Sequence, residues 1–219
     1  MPVSSQSGPF PQVVRPGLLR HEDGRDRCWW CGDDPLYVAY HDHEWGRAVR
    51  DERLLFEKLC LEAFQSGLSW LTILRKRAAF RVAFAGFDAQ VVAGFGPSDL
   101  DRLRTDASIV RNRAKIEATV ANAQALCRMW DRGDTLTELV WSIGPSPGPR
   151  PRSPEAVPPH TPASTALARR LKEGGFRFVG PTTTYAFLQA MGLVDDHLDG
   201  CSVPVGSTGP GSEAAGGRD

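Results

Sequence analysis

The strongest pattern in the chain begins at Asp51, which offers an N-cap for a helix running to about Gln65, with Leu55, Leu59 and Glu62 at i, i+4 and i+7. That phase puts the Glu62 carboxylate on the apolar stripe and leaves Glu57 and Lys58 on the outer face. A second helix starts with Ser69 as cap and carries Trp70, Ile73, Leu74 and Arg77 towards Phe80, stopping before Gly86. Short helices are expected at 88–93 and 98–104. Beyond Lys115, the residues Ile116, Val120, Ala123, Cys127 and Trp130 keep helical phase along one long helix. Asp134 or Thr135 caps a further helix that ends near Gly144. Ser164 caps another through Leu171 and Lys172 that finishes at Gly174-Gly175, and a last apolar helix covers 182–191. No stretch alternates as a half-buried strand does, so the reading is all-α, without internal repeats.

Outside these helices the pattern fails. Residues 1–25 mix Ser, Gly, Pro and Arg without period, and 204–219 are dominated by Gly and Ser, so neither tail buries enough to offset its ordering entropy. Both are expected to be disordered. Residues 145–162 carry seven prolines before Pro162, which rules out helix or central strand and predicts a mobile loop or polyproline spacer. This leaves one helical domain over 26–203, long enough to bury a sizeable core. Charge is balanced, with 26 Lys and Arg against 26 Asp and Glu, so any cationic surface must be local. Five cysteines, no apolar leader at Met1–Phe10 and no membrane-length apolar run point to the reducing cytoplasm, away from membranes, and a monomer is expected.

Candidate chemistry concentrates in 34–46, where Tyr37, Tyr40, His41, Asp42, His43, Glu44 and Trp45 crowd together with a density of polar-tipped aromatics and metal-capable groups that a plain core segment does not need. Cys28 and His41 lie near one end of the folded part, and His197 and Cys201, spaced i, i+4, near the other. Two thiolates and two imidazoles suit a closed tetrahedral Zn²⁺ of structural role. Spacing alone balances this against a surface Cys28-Trp-Trp-Cys31 pair and a helix-terminal His197, with Cys31 and His43 as competing ligands. Asp42 fits a carboxylate that holds the His41 imidazole. Glu62 on an apolar stripe costs several kcal/mol unless paired or bonded, which marks it for chemistry or specificity. Tyr37, Tyr40, Trp45 and Trp70 form a stacking box suited to a cationic ring, or else are core aromatics. A thiol enzyme built on Cys60 is the poorer reading, because Cys60 shares the apolar stripe with Phe56 and Ala63.

The aromatic segment, the Glu62 helix with Leu61-Glu62-Ala63-Phe64-Gln65-Ser66-Gly67-Leu68-Ser69-Trp70, the Asp106–Lys115 hairpin and the closing Asp196-His197…Cys201 together resemble the 3-methyladenine DNA glycosylase I family, over roughly 28–201. That resemblance implies a helix-hairpin-helix DNA glycosylase fold with a structural zinc clip, on Cys28, His41, His197 and Cys201, joining the N- and C-terminal segments. It implies hydrolysis of the N-glycosidic bond of 3-methyladenine in double-stranded DNA. Glu62 would contact the charged base and act as the catalytic group, and Tyr37, Tyr40, Trp45 and Trp70 would stack on it. Gly67-Leu68 would enter the gap left by the flipped base, while Arg111, Arg113 and Lys115 would meet phosphates. Ser108 stands where the hairpin pattern has Gly, and Ala114 where a second Gly is common; a positive φ at 108 would strain a serine. No lysine is set for a Schiff base, so no strand cleavage is expected. A non-catalytic module that binds alkylated or single-stranded DNA is the alternative from another class.

Overall fold

The computed structural model describes residues 11–143 and 148–205. Among them the chain forms a three-stranded sheet followed by helices α1 (Pro35–His43), α2 (Glu52–Gln65), α3 (Trp70–Ala83), α4 (Ala89–Ala93), α5 (Pro97–Thr105), α6 (Arg113–Asp131), α7 (Leu136–Ile143), α8 (Pro162–Glu173) and α9 (Pro181–Ala190). The caps are chemical ones. Asp51 accepts from Leu54 N–H to start α2, Ser69 from Thr72 N–H to start α3, and Asn112 from Lys115 N–H to start α6. Thr135 rather than Asp134 caps α7, accepting from Glu138 N–H. Thr161 caps α8, with Ser164 reciprocating from the third helical position rather than capping as the sequence suggested.

Helix α2 is the axis of the molecule. Every residue from Leu55 to Phe64 is buried, because α3, α6, α7 and α9 all pack on it. The amphipathic reading of this helix is therefore corrected: Glu57 and Lys58 do not lie on an outer face but are as buried as Glu62. Its Phe64 meets Phe80 at a tilt, and Phe80, Phe84 and Phe87 stack in succession beside it. Each fully buried aromatic ring contributes roughly 2–3 kcal/mol.

Two expectations fail at the ends of the domain. Residues 11–25 are not a disordered tail, and the fold is not purely helical. Gln12–Arg15 (β1), Leu18–Arg20 (β2) and Asp26–Cys28 (β3) form an antiparallel sheet in the order β1-β2-β3. These strands are three or four residues long and too short to show alternation. The C-terminal segment returns to them: Ser202 N–H donates to Asp26 C=O at 2.8 Å, and Leu18, Cys28, Leu198, Cys201 and Val203 bury a small second core. The rest of the expected tails and residues 144–147 lie outside the described residues. The described part of the proline segment is not a free spacer. Arg150 pairs with Asp195 at 2.9 Å and donates to Val203 C=O, Asp199 N–H donates to Pro151 C=O, and Pro154–Ala156 form a 3₁₀ turn. Near the same end Gly192, at φ +72°, meets the backbone of Arg47 and Ala48; a Cβ there would lie 2.3 Å from backbone atoms, so only glycine permits the approach.

Candidate functional site

Helix α1 aims the aromatic box. Asp34 caps it and Pro35 occupies its first turn, so Tyr37 and Tyr40 fall on one face and the chain leaves through Trp45 and a left-handed Gly46. Glu62 and Gln65 come from the last turn of α2, and Trp70 from the first residue of α3. With Trp29, Trp30, Val157, Ala186, Gln189 and Asp196 these residues line a pocket of about 190 Å³. The four predicted aromatics and Glu62 are thus brought together. Trp30, which the sequence reading passed over, is the hub of the box: its ring lies 5.2 Å from Tyr37 and 5.0 Å from Trp45, while Tyr40 lies 5.4 Å from Trp70. Asp196 accepts from Tyr185 Oη at 2.5 Å and from Gln189 Nε2 at 2.8 Å, which fixes the polar side of the pocket. The indole N–H of Trp70 is buried and finds no acceptor among the described residues.

Glu62 is only 5% exposed, and its charge is matched. Lys58, one turn earlier, places Nζ 2.8 Å from Glu62 Oε1, donates to Tyr40 Oη at 2.7 Å, and sits 3.2 Å over the Trp70 ring. Pairing of this kind offsets the several kcal/mol that a lone buried carboxylate costs. Burial pushes the Tyr40 phenol well above its usual range and Tyr37 up to about 12, so both walls present neutral hydroxyls at neutral pH. Burial also lowers the Lys58 ammonium, against the opposing pull of Glu62. Glu44, next to Trp45, is bound by both guanidinium nitrogens of Arg77.

The four predicted metal ligands converge. Cys28, His41, His197 and Cys201 are all buried, and their ligand atoms lie within 4.8 Å of one another, an arrangement that could hold a metal ion. Cys201 Sγ is 3.5 Å from His41 Nε2 and 3.6 Å from His197 Nδ1, and Cys28 Sγ is 3.8 Å from His197 Nδ1. The competitors fall away: Cys31 Sγ turns to the Cys28 carbonyl and His43 is exposed. Both imidazoles are held from behind. His41 Nδ1 meets Asp42 Oδ1 at 2.8 Å, as expected, and Arg27 anchors that carboxylate in turn. His197 Nε2 meets the Trp45 carbonyl at 3.2 Å, which ties the cluster to the wall of the pocket. Burial would raise the Asp42 carboxyl, but the His41 and Arg27 hydrogen bonds outweigh it and hold the group low.

The predicted DNA-facing residues divide. Gly67 adopts φ +82° in the α2–α3 turn and leaves Leu68 exposed at its tip. Arg111 and Arg113 are exposed on the hairpin between α5 and α6, Arg113 pairing with Glu117 at 2.8 Å. Lys115 is corrected: it is buried, and its ammonium donates to the Phe64 and Ser66 carbonyls at 2.8 and 2.5 Å, closing the C-terminus of α2. Ser108 carries no positive φ, and its N–H and hydroxyl both bond to Asp106, so serine fits the hairpin without strain. Lys76 braces the same turn through the Ala107 and Ser108 carbonyls.

A family model described as methyladenine glycosylase matches residues 30–204, which include the pocket and cluster residues named above except Trp29 and Cys28. The chain belongs to the methyladenine glycosylase family. It is 45% identical over 181 residues to DNA-3-methyladenine glycosylase 1 of Escherichia coli strain K12, covering 80% of this chain and 95% of that protein. A crystal structure of 3-methyladenine DNA glycosylase I superposes with a TM-score of 0.79 at 46% identity, over 81% of this chain and all of the other. A Tyr→Phe variant of 3-methyladenine DNA glycosylase I in complex with 3-methyladenine gives 0.76 at 37% identity, over 80% and 96%. In this methyladenine glycosylase, Trp30, Gln65, Gln189 and Asp196 line the pocket and Lys58 contacts Glu62, Tyr40 and Trp70, positions to which the sequence reading gave no role. Cys28-Trp29-Trp30-Cys31 was the available signal for Trp30; nothing local distinguishes Lys58 from a solvated lysine.

Proposed function

We propose that this chain excises 3-methyladenine from double-stranded DNA as a step of base-excision repair. The reading is carried by one observation: a buried carboxylate, Glu62, faces a box of Tyr37, Tyr40, Trp45 and Trp70 in a chain of this family. Methylation at N3 gives the purine a positive charge and weakens its glycosidic bond. Electron-rich rings favour such a cation by about 1–2 kcal/mol per good contact once water is excluded, and Glu62 adds a charge-assisted contact. The bond breaks with its electron pair going to the base, which leaves as neutral 3-methyladenine; water supplies hydroxyl to the sugar carbon and releases a proton. The phosphodiester chain is untouched, because the lysines at hand are committed elsewhere: Lys58 to Glu62, and Lys115 to backbone carbonyls.

The base reaches the pocket only after leaving the stack. Leu68, exposed on a left-handed Gly67 turn between the two elements that present Glu62 and Trp70, is placed to fill the gap, while Arg111 and Arg113 meet backbone phosphates. Zn²⁺ is the metal that suits the cluster. Two cysteines and two histidines match its preferences, and S–N separations of 3.5 to 3.8 Å agree with the roughly 3.5 Å that a tetrahedral site built on Zn–S and Zn–N bonds requires. With four protein ligands it would have no open position, so it would join the ends of the domain and take no part in the chemistry. Five cysteines, none in a disulfide, fit a reducing cytoplasm.

Duplex DNA treated with dimethyl sulfate tests the proposal. Free 3-methyladenine should accumulate with time while strands stay intact until alkali is added. Saturable binding without release of base would make the chain a lesion-binding module instead.

A further inference from the structure

Lys58 is the buried charge that the excision scheme leaves unexplained. Its ammonium has three partners, and all of them belong to the base pocket: Glu62 Oε1 at 2.8 Å, Tyr40 Oη at 2.7 Å and the face of Trp70 at 3.2 Å. It reaches them from behind, through a cavity of about 110 Å³ on the far side of Tyr40 and Trp70. The other charges around that cavity are already paired. Glu44, just past α1, is bound to Arg77 of α3, and Glu57 of α2 is bound to Arg81 of α3. On the pocket side Glu62 faces the neutral phenols of Tyr37 and Tyr40, while Asp196 is held by Tyr185 and Gln189. Lys58 is therefore the one cation, among the described residues, in salt-bridge contact with Glu62.

We propose that Lys58 is a positioning residue that sets the ionisation and aim of Glu62, and so the pocket's preference for a cationic base. The inference rests on the reading of the pocket as a site for 3-methyladenine. Four physical consequences support it. A carboxylate as buried as Glu62 carries a desolvation cost that a nearby cation offsets, and Lys58 supplies that cation 2.8 Å from Oε1. Binding one carboxylate oxygen from behind leaves the other free for a ligand. By donating to Tyr40 Oη, Lys58 occupies a lone pair of that hydroxyl, so the Tyr40 proton is directed elsewhere and the phenol acts as a donor. The same cation covers the inner face of Trp70 and leaves its outer face for stacking.

Lys58→Met keeps the length and loses the charge. Glu62 should then titrate higher, so 3-methyladenine binding should fail at a higher pH than in the wild type as acid is added. The titration of the ligand itself is common to both proteins and cancels in the ratio of affinities. That ratio should grow by about tenfold or more between about pH 8 and about pH 5, since each unit of carboxyl shift is tenfold in the binding-competent form. In a Glu62→Gln background the same substitution should show no pH-dependent effect, which separates action through Glu62 from a packing defect. A carboxyl-carbon NMR titration of Glu62 in the free proteins reads the shift directly, and does so even if the wild type binds no 3-methyladenine, the outcome that would instead overturn the proposed function. Should Lys58→Met not fold, Lys58→Gln takes its place. Parallel binding profiles, or an unmoved Glu62 titration, would overturn the proposal.

Discussion

Lys115 shows how far a residue's neighbours decide its role. Beside Arg111 and Arg113 in the sequence it reads as a third phosphate contact, yet it is buried and holds the Phe64 and Ser66 carbonyls at the end of the helix that carries Glu62. Lys115→Met should thus lower stability by about 1–3 kcal/mol and leave the salt slope of DNA binding unchanged. Arg113→Ala should do the reverse, flattening the slope by about one charge with little loss of stability. Denaturant unfolding together with a salt titration of binding separates the two outcomes. Lys58 teaches the same lesson. Helical phase correctly put Glu62 on a buried stripe, but a helix packed on all sides buries its remaining faces too, and only tertiary packing reveals that.

At the scale of elements, caps were the most legible feature. Asp51 and Ser69 start α2 and α3 where their side chains predict, because capping is decided within four residues. Helix α1 and the strands of 12–28 were not read, since α1 has little amphipathic contrast and the strands are held by partners distant in sequence, including Ser202 on Asp26. The α2–α3 turn is the element with the clearest functional consequence. If Leu68 fills the space of the flipped base, Leu68→Ala should cut excision from duplex DNA by tenfold or so, the worth of a few kcal/mol of unstacking shared with other contacts, and leave release from single strands nearly unchanged. Equal losses on both substrates would mark Leu68 as a packing residue.

The whole molecule is closed at the cluster of Cys28, His41, His197 and Cys201, which the sequence suggested because two Cys and two His flank the helical part. What the sequence did not convey is how the ends are dressed around it: the sheet, the proline segment bound through Arg150, and the His197–Trp45 contact that links the cluster to the pocket. About one zinc per chain is expected from elemental analysis. Cys201→Ser should destabilise the fold by several kcal/mol, roughly the scale of losing a structural metal, and impair base binding only through unfolding. The pocket itself is where fold and function meet, since α1, α2, α3 and α9 each contribute a wall and Glu62 supplies its charge. Calorimetric binding of free 3-methyladenine to the wild type and to Glu62→Gln tests that claim without the complications of DNA. The wild type should bind, and the folded, metal-loaded Gln variant should bind about tenfold more weakly or worse, having kept the shape and lost the charge. Equal binding by the two proteins would contradict the assignment of Glu62 as the residue that recognises the base.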